Sequence, residues 1–322
     1  MSYVLNGNQT VSILPETRQR VHKAIADLNY IPNPSARSLR SRKTNTIAVI
    51  IPDITNPYYP EFVRGIQDVA RDREYDVLSF NTDGEEEIER TSLEAVRRAH
   101  ADGLIIVPFF MDSDALRPLL DDGTPITVLG ELSDDDVFET QPQPLDMVSI
   151  SGEDAARTVV EYLIDRGHTR IGMISGKIAT PPRESRVRGY RQALAAHHVA
   201  SEEVLIRGGD FTEAGGYEAM RELLMLSPRP TAVFAANDLM AMGALLACRD
   251  LGVDVPHDIA LAGFDDIPAA RLVHPALTTL DQYAHATGQR CAELLHSRLD
   301  GSYTGETRRE SLGFELVVRE SA

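Results

Sequence analysis

Short apolar runs rich in Val and Ile recur from residue 46 onward and alternate with amphipathic stretches that have helical spacing. Continuously apolar strands separated by helices are typical of parallel sheets that helices cover on both faces. Right-handed crossovers between such strands produce a doubly wound fold. The pattern therefore predicts an α/β architecture for residues 46–322. The expected strands are 46–51, 75–80, 103–107, 126–130, 147–150, 170–175, 231–235 and 259–264.

Eight strand and helix units exceed what one small sheet holds, so two consecutive Rossmann-like halves are expected, meeting near residues 149–152. Neither half contains G-x-G-x-x-G or a P-loop, so no nucleotide cofactor is indicated, and we expect no other cofactor. The nine His residues show no metal-ligand spacing, so no metal site is expected.

The composition limits the cellular setting. No run of eighteen apolar residues occurs, so neither a transmembrane helix nor a membrane partner is expected. The N-terminal residues lack the basic and apolar regions of a secretory signal. Cys248 and Cys291 lie in apolar segments with helical spacing and are interpreted as buried, reduced thiols. These features predict a cytoplasmic protein.

Charge is distributed unevenly along the chain. Residues 1–45 carry seven basic and two acidic side chains, a net charge of +5, although the whole chain carries −17. Residues 46–322 therefore carry −22. A small basic head on an acidic body is typical of a modular DNA binder, although a charged N-terminal tail is the alternative.

The basic head shows two local patterns. Residues 15–29 predict an amphipathic helix with an apolar stripe. Ala36 and Leu39 share one face if residues 34–40 are helical, and a small residue beside an exposed Leu forms a wedge that can enter the minor groove. Basic side chains nearby can neutralise phosphates. An ordinary linker with one exposed Leu is the alternative. The apolar stripe consists of Val21, Ala24, Ile25 and Leu28, and the basic side chains are Arg37, Arg40, Arg42 and Lys43.

Residues 15–39 closely resemble the end of the DNA-binding domain of the LacI/GalR family of bacterial transcriptional regulators. In that family a helix ends in a Leu-x-Tyr-x-Pro-Asn turn, and a hinge helix with an Ala-x-x-Leu pair follows. The matching residues here are Leu28, Tyr30, Pro32, Asn33, Ala36 and Leu39. The resemblance continues, in order and spacing, at 46–58, 166–172, 235–243, 259–266 and 277–282.

The resemblance implies two Rossmann-like subdomains of the type I periplasmic-binding-protein kind, preceded by a partial all-α helix-turn-helix remnant and a hinge helix. The sequence LTTLDQ, residues 277–282, matches a family segment that crosses between the subdomains. This match and the late apolar run 312–318 set the expected boundaries of the two subdomains. We expect a remnant at 1–31, a hinge and linker at 32–45, a first subdomain at 46–148 and about 281–305, and a second subdomain at 152–277 and about 310–320.

The start of the chain departs from the family. Met1 stands where Val is usual within the recognition helix, and the first helix of the helix-turn-helix is missing. Specific operator binding by the chain as written is therefore not expected, because that helix braces the recognition helix. A misplaced start codon and a true truncation are both open, and the intact hinge favours the first. The DNA-binding residues implied are Tyr3, Asn33, Ala36, Arg37, Leu39 and Arg40.

The resemblance also implies a small-molecule site at the carboxyl ends of the strands, where open α/β sheets bind ligands. Carboxylates, amides, an Arg and an aromatic ring suit a sugar. Each of four residues has a structural role as the alternative to ligand binding. Asp154 and Asp238 could cap helices, Asp266 could fix a turn, and Phe211 could belong to the hydrophobic core. Ser151-Gly152 replaces an Asp-Asn pair that many members carry. The effector-binding residues implied are Arg186, Asn237, Asp265, Phe211, Asp154, Tyr58 and Tyr59.

The predicted function is a ligand-responsive, DNA-binding homodimer that represses genes of sugar or carbohydrate metabolism, with a sugar effector between its subdomains. Operator DNA is the expected partner when the full N-terminal domain is present. A DNA-silent cytoplasmic sugar-binding protein, similar to periplasmic solute-binding proteins, is the alternative. An enzyme is not expected, because G-x-S-x-G, H-E-x-x-H and related catalytic motifs do not occur.

Overall fold

The computed structural model describes residues 14–28, 43–132 and 143–322. The chain divides into two compact units, Met1–Thr44 and Asn45–Ala322. In the first unit the predicted amphipathic helix, α1, runs from Pro15 to Asp27 with Pro15 in its first turn, as the fixed φ angle of proline favours.

The second unit alternates strands and helices as the apolar pattern predicts. In chain order the described elements after α1 are β1 (Thr46–Ile51), α2 (Tyr58–Asp72), β2 (Asp76–Asn81), α3 (Glu86–Ala99), β3 (Gly103–Ile106), α4 (Ser113–Asp121), β4 (Ile126–Leu129), β5 (Leu145–Ser149), α5 (Gly152–Asp165), β6 (Ile171–Ser175), α6 (Pro181–Ala196), β7 (Ile206–Gly208), α7 (Glu213–Leu224), β8 (Ala232–Ala235), α8 (Asp238–Asp250), β9 (Ala260–Ala262), β10 (Thr279–Asp281), α9 (Ala284–Leu299), β11 (Arg308–Ser311) and β12 (Glu315–Val317).

Ten of these strands form two parallel sheets, one in each half of the unit, and β10 and β12 form a separate antiparallel pair. The first half contains a six-stranded sheet in the order β11-β5-β4-β3-β1-β2, and the second contains a four-stranded sheet in the order β7-β6-β8-β9. In both sheets the first strand in sequence lies in the interior, so the chain proceeds outward in two directions from it. The expected α/β fold with two Rossmann-like halves is confirmed.

Helix α9 packs on α2 in the first half at very short range. A Cβ on Gly65 of α2 would lie 2.0 Å from the carbonyl oxygen of His285, and a Cβ on Gly288 of α9 would lie 2.0 Å from that of Phe62. Only glycine permits this reciprocal approach of the two backbones. The late helix is therefore part of the first half, although it follows most of the second half in sequence.

The chain passes between the halves in three segments, at 149–152, 281–284 and 311–315. The last passage follows residue 311, because β11 pairs with β5 in the first sheet. After it, β12 pairs with β10, and Ser321 donates to the carbonyl oxygen of Leu261 over 2.6 Å beside β9. The polar sequence RRES forms an edge strand, which no apolar run marks.

A buried ion cluster secures β11 in the first half. Asp146 is fully buried and accepts hydrogen bonds from Arg298 (2.7 Å) and Arg308 (2.6 Å). Burial raises the pKa of Asp146, but the hydrogen bonds from both arginines outweigh it and hold the pKa below its usual value. One carboxylate therefore joins β5, α9 and β11.

Asp146→Asn should lower the free energy of unfolding by about 3 kcal/mol, because it leaves two arginines facing a neutral amide in a buried site. Urea denaturation measures this loss. Asp122→Asn is the matched control, since Asp122 pairs with Arg97 where both side chains are more than half exposed. The control should change stability by less than about 1 kcal/mol. Equal effects of both variants would contradict the role given to the Asp146 cluster.

His296 predicts a dependence of stability on pH. Its side chain is buried, its Nε2 has no hydrogen-bond partner within the described residues, and burial lowers its pKa to about 4. The unfolded chain binds this proton at about pH 6.5, so stability should fall as pH drops from about 6.5 to 4, by roughly 3 kcal/mol.

Urea denaturation at several pH values tests this, with His296→Phe expected to flatten that part of the profile. His274→Phe is the control, because the His274 side chain is 94% exposed. If the profile of His296→Phe matches that of the unchanged protein, the buried imidazole is not the source of the acid sensitivity.

Candidate functional site

A cavity of about 440 Å³ lies between the two halves of the second unit. Its walls come from the loops that follow β1, β2 and β3 in the first half and β6, β8 and β9 in the second. Ligands bind at the carboxyl ends of strands in open α/β sheets, because the strand order reverses there and leaves a crevice. The cavity is therefore the candidate binding site.

Asp238 anchors one side of the cavity. It is the first residue of α8 and is fully buried. Its carboxylate accepts hydrogen bonds from the backbone N–H groups of Phe264 and Ile267, both over 2.9 Å, and from the hydroxyl of Thr279 over 2.5 Å. These contacts hold the loop after β9 against α8 and against the crossing strand β10. Asp238 is thus a positioning residue for the loop that contains Asp265.

Asp265 lies buried at the deep end of the cavity, with a φ angle of +119° that is unusual for any residue except glycine. Its backbone N–H donates to the carbonyl oxygen of Leu280 over 2.8 Å, and its carboxylate accepts from Gln282 over 2.7 Å. Burial raises the pKa of Asp265 to about 7, against the opposing effects of Arg186 and of hydrogen bonds from Gln282 and Asn56. The group is a buried acceptor for a donor on a ligand.

Arg186 lies on α6 and faces the same end of the cavity. Its guanidinium stacks on the ring of Phe264, with 3.9 Å from the central carbon to the ring centroid, and donates to the carbonyl oxygen of Ala236. Burial lowers its pKa, and Asp265 opposes that effect. Its buried Nε has no hydrogen-bond partner within the described residues. Arg186 also lines the cavity, so its guanidinium brings charged N–H donors to this wall.

Asn237 lines the cavity but is largely engaged within the protein. Its side-chain oxygen accepts from the backbone N–H of Met240 over 2.9 Å and so caps α8. Its amide nitrogen donates to the carbonyl oxygen of Phe211 over 3.0 Å. This bond holds Phe211 at a φ angle of +71°. One amide N–H is left, so Asn237 shapes the site and retains a single donor.

Tyr58 and Tyr59 begin α2 and line the cavity from the first half. Their rings meet edge to face with centroids 5.2 Å apart. Burial raises the pKa of both phenols, so both hydroxyls stay protonated at neutral pH. The first half thus contributes two hydroxyl groups on apolar rings.

Two aromatic rings from opposite halves meet across the cavity. The ring centroids of Phe109, after β3, and Phe211, after β7, are 6.1 Å apart. The buried carboxylate of Glu89 on α3 accepts from the backbone N–H groups of Phe109 (3.1 Å), Phe110 (3.1 Å) and Met111 (2.9 Å). Glu89 therefore holds the loop that places Phe109 in the cavity wall. Neither Phe109 nor Glu89 was predicted from the sequence.

Lys177 joins the two halves at the mouth of the cavity. This residue follows β6, and its Nζ donates to the carbonyl oxygen of Gly84 and to the carboxylate of Glu85, both over 2.7 Å. Gly84 and Glu85 follow β2 in the other half. The two walls are thus bridged directly.

Two family models match this chain. That of the periplasmic binding protein-like domain matches residues 160–322, and that of bacterial regulatory proteins of the lacI family matches residues 1–33. The HTH-type transcriptional regulator CelR of Thermobifida fusca is 36% identical over 329 aligned residues, which cover 100% of this chain and 93% of CelR. The chain belongs to the LacI family.

Other proteins similar to this chain point to the same family. The HTH-type transcriptional repressor CytR of Escherichia coli K12 is 33% identical over 305 residues, covering 95% of this chain and 87% of CytR. The solved structure of a transcriptional regulator CelR-cellobiose complex is similar with a TM-score of 0.77 at 33% identity, covering 100% of this chain and 94% of that one. The resemblance inferred from the motifs is confirmed, and this chain is a DNA-binding transcriptional regulator of that family.

Six of the seven expected effector-binding residues line the cavity, and the seventh does not. Asp154 is the third residue of α5 and is half exposed. It accepts from Ser151, whose hydroxyl in turn accepts from the backbone N–H of Asp154 and caps the helix. The effector contact predicted for Asp154 stays a prediction. Gly152 lines the cavity instead.

The expected DNA contacts lie outside the described residues. Within the described residues, no helix combines the length and apolar character needed to cross a bilayer. The same part of the chain brings together no group of three His, Cys, Asp or Glu side chains suited to a metal ion. The DNA contacts concerned are Tyr3, Asn33, Ala36, Arg37, Leu39 and Arg40.

Gly176→Ala should disturb the aromatic wall, because a Cβ on Gly176 would lie 1.9 Å from the Phe211 ring. We expect a loss of roughly 1–3 kcal/mol in the free energy of unfolding, measured with urea. Gly208→Ala is the control, since a Cβ at Gly208 meets no atom within 4 Å. A stability of Gly176→Ala equal to that of the control would show that Phe211 does not rest on Gly176.

Proposed function

We propose that this protein is a homodimeric repressor of sugar or carbohydrate metabolism genes and that a sugar bound in the cavity changes its affinity for operator DNA. The observation that carries the proposal is the convergence of Arg186 and Asp265 on the wall of one cavity, where the charge of Arg186 opposes the rise in the pKa of Asp265. A guanidinium and a carboxylate side by side can donate to and accept from neighbouring hydroxyl groups.

The remaining walls suit the same ligand chemistry. Tyr58 and Tyr59 offer hydroxyl donors, and Phe211 offers an apolar ring against which the carbon face of a sugar can pack. The solved CelR structure is a complex with cellobiose, which supports a sugar as the effector. CytR is a transcriptional repressor by name, which supports a repressor role.

The mechanism follows from the origin of the cavity walls. Because both halves contribute ligand contacts, a sugar stabilises one relative arrangement of the halves over others and shifts the population toward it. In a homodimer that presents two DNA-binding segments, the shift changes their spacing and thus the DNA affinity. A DNA-binding role places the protein in the cytoplasm.

Arg186→Ala should weaken sugar binding by about 10- to 100-fold, because a charge-assisted hydrogen bond at the cavity wall is lost. Asp265→Asn, which keeps the side-chain volume, should have a similar effect. Isothermal titration calorimetry measures both, with circular dichroism verifying the fold. Arg188→Ala is the matched control on the same helix, because Arg188 is exposed and pairs with Glu153 outside the cavity.

Fluorescence anisotropy with DNA from the protein's own promoter tests the regulatory role in protein that carries the full N-terminal domain. Sugar should change the DNA affinity of the unchanged protein and of Arg188→Ala, but not that of Arg186→Ala. Sugar binding without DNA binding would instead favour the DNA-silent sugar-binding protein. Unchanged sugar affinity in both cavity variants would refute the assignment of this cavity.

A further inference from the structure

We infer that the effector is an uncharged saccharide of two linked rings, not a free monosaccharide or a phosphorylated sugar. This inference rests on the proposed sugar site and deepens it. Three independent features of the cavity carry it: its size, the difference between its two ends, and the charge of its walls.

The size of the cavity matches two sugar rings. The cavity has a volume of about 440 Å³, and Lys177 bridges the two halves at its mouth. At the packing density of protein interiors a non-hydrogen atom takes up about 20 Å³, so a closely packed ligand has roughly twenty such atoms. A hexose, with about 12, fills about half of the space, and a disaccharide, with about 23, fills it.

The two ends of the cavity differ in chemistry. The deep end has buried hydrogen-bonding groups on Asn56, Asp265 and Gln282, each less than 9% exposed. Nearer the mouth, Phe109 and Phe211 form an apolar wall. This wall adjoins the Lys177 bridge, because Lys177 donates to the carbonyl oxygen of Gly84, and a Cβ on Gly84 would lie 3.6 Å from the Phe109 ring. One ring can therefore satisfy the polar end while a second ring packs its carbon face on the aromatic wall.

The walls carry a strong excess of negative charge. Among the described residues six acidic and two basic side chains line the cavity, and each basic one already faces a carboxylate, Lys177 that of Glu85 and Arg186 that of Asp265. Residues 133–142 contain no Lys, Arg or His. A phosphate or carboxylate on the sugar would meet uncompensated repulsion. The other four acidic residues are Asp53, Asp83, Glu131 and Asp210.

Calorimetric titration of the full chain tests the inference with matched sugars. The panel consists of glucose, galactose, mannose and xylose, their common disaccharides, and the 6-phosphates of glucose and trehalose. At least one disaccharide should bind at least about tenfold more tightly than either of its monosaccharides, since a second ring adds an aromatic contact. Each phosphorylated sugar should bind more weakly than its unphosphorylated form, and the difference should shrink at high salt.

Two variants of neighbouring residues test the aromatic wall. Phe109→Ala should reduce the affinity for the best disaccharide by about tenfold while changing that for its monosaccharide much less. Phe110→Ala is the matched control: Glu89 also holds its backbone N–H, but Phe110 does not line the cavity. Its disaccharide affinity should stay within about twofold of the unchanged protein.

Several results would overturn the inference. A monosaccharide that binds as tightly as every disaccharide, or a phosphorylated sugar that binds better than its neutral form, refutes it and leaves the proposed sugar site intact. Equal losses in Phe109→Ala for one and two rings also refute it. If the folded protein binds no sugar of the panel at all, both this inference and the proposed class of effector fail.

Discussion

The buried carboxylate of Asp238 is the interaction on which the binding cleft depends. It accepts hydrogen bonds from two backbone N–H groups of the loop after β9 and from Thr279 of the crossing strand β10. Burial raises the pKa of Asp238 well above its ordinary value, and the hydrogen bonds from Thr279 and Ile267 oppose that effect. A Cβ at Gly263 would lie 2.2 Å from an Asp238 oxygen, so a glycine is required there. Asp265 owes its position, and its unusual backbone angle, to this anchor.

The same anchor links ligand recognition to the relative position of the halves. Asp265 belongs to the second half, and Gln282, its hydrogen-bond partner, belongs to the segment that crosses to the first half. Arg186 approaches from α6, and Tyr59 from α2 on the opposite side. A ligand that engages these groups together contacts both halves and the crossing between them. Its binding energy is therefore available to favour one arrangement of the halves.

Strands buried on both faces are the easiest part of this fold to predict from sequence. TIAVII and TAVFA are continuously apolar because both faces of the strand are covered, and the structure places β1 and β8 there. The edge strand β11 escaped prediction, because an edge strand needs no apolar run and RRES is polar. Glu89 was equally hidden within an acidic stretch. Its spacing of three and four residues from the buried Ser92 and Leu93 was the signal of burial.

The sequence by itself determined the alternation of strands and helices and the family, and it pointed to Arg186 and Asp265, which both line the cavity. Only the tertiary structure decided which polar groups meet. Lys177 and Glu85, for example, are 92 residues apart in the chain. Periodicity reports which residues are buried, because burial repeats with the local geometry of a helix or strand. The partner of a polar group depends on how distant segments pack, and for this reason Glu89 holds a wall of the cleft some twenty residues away in the chain.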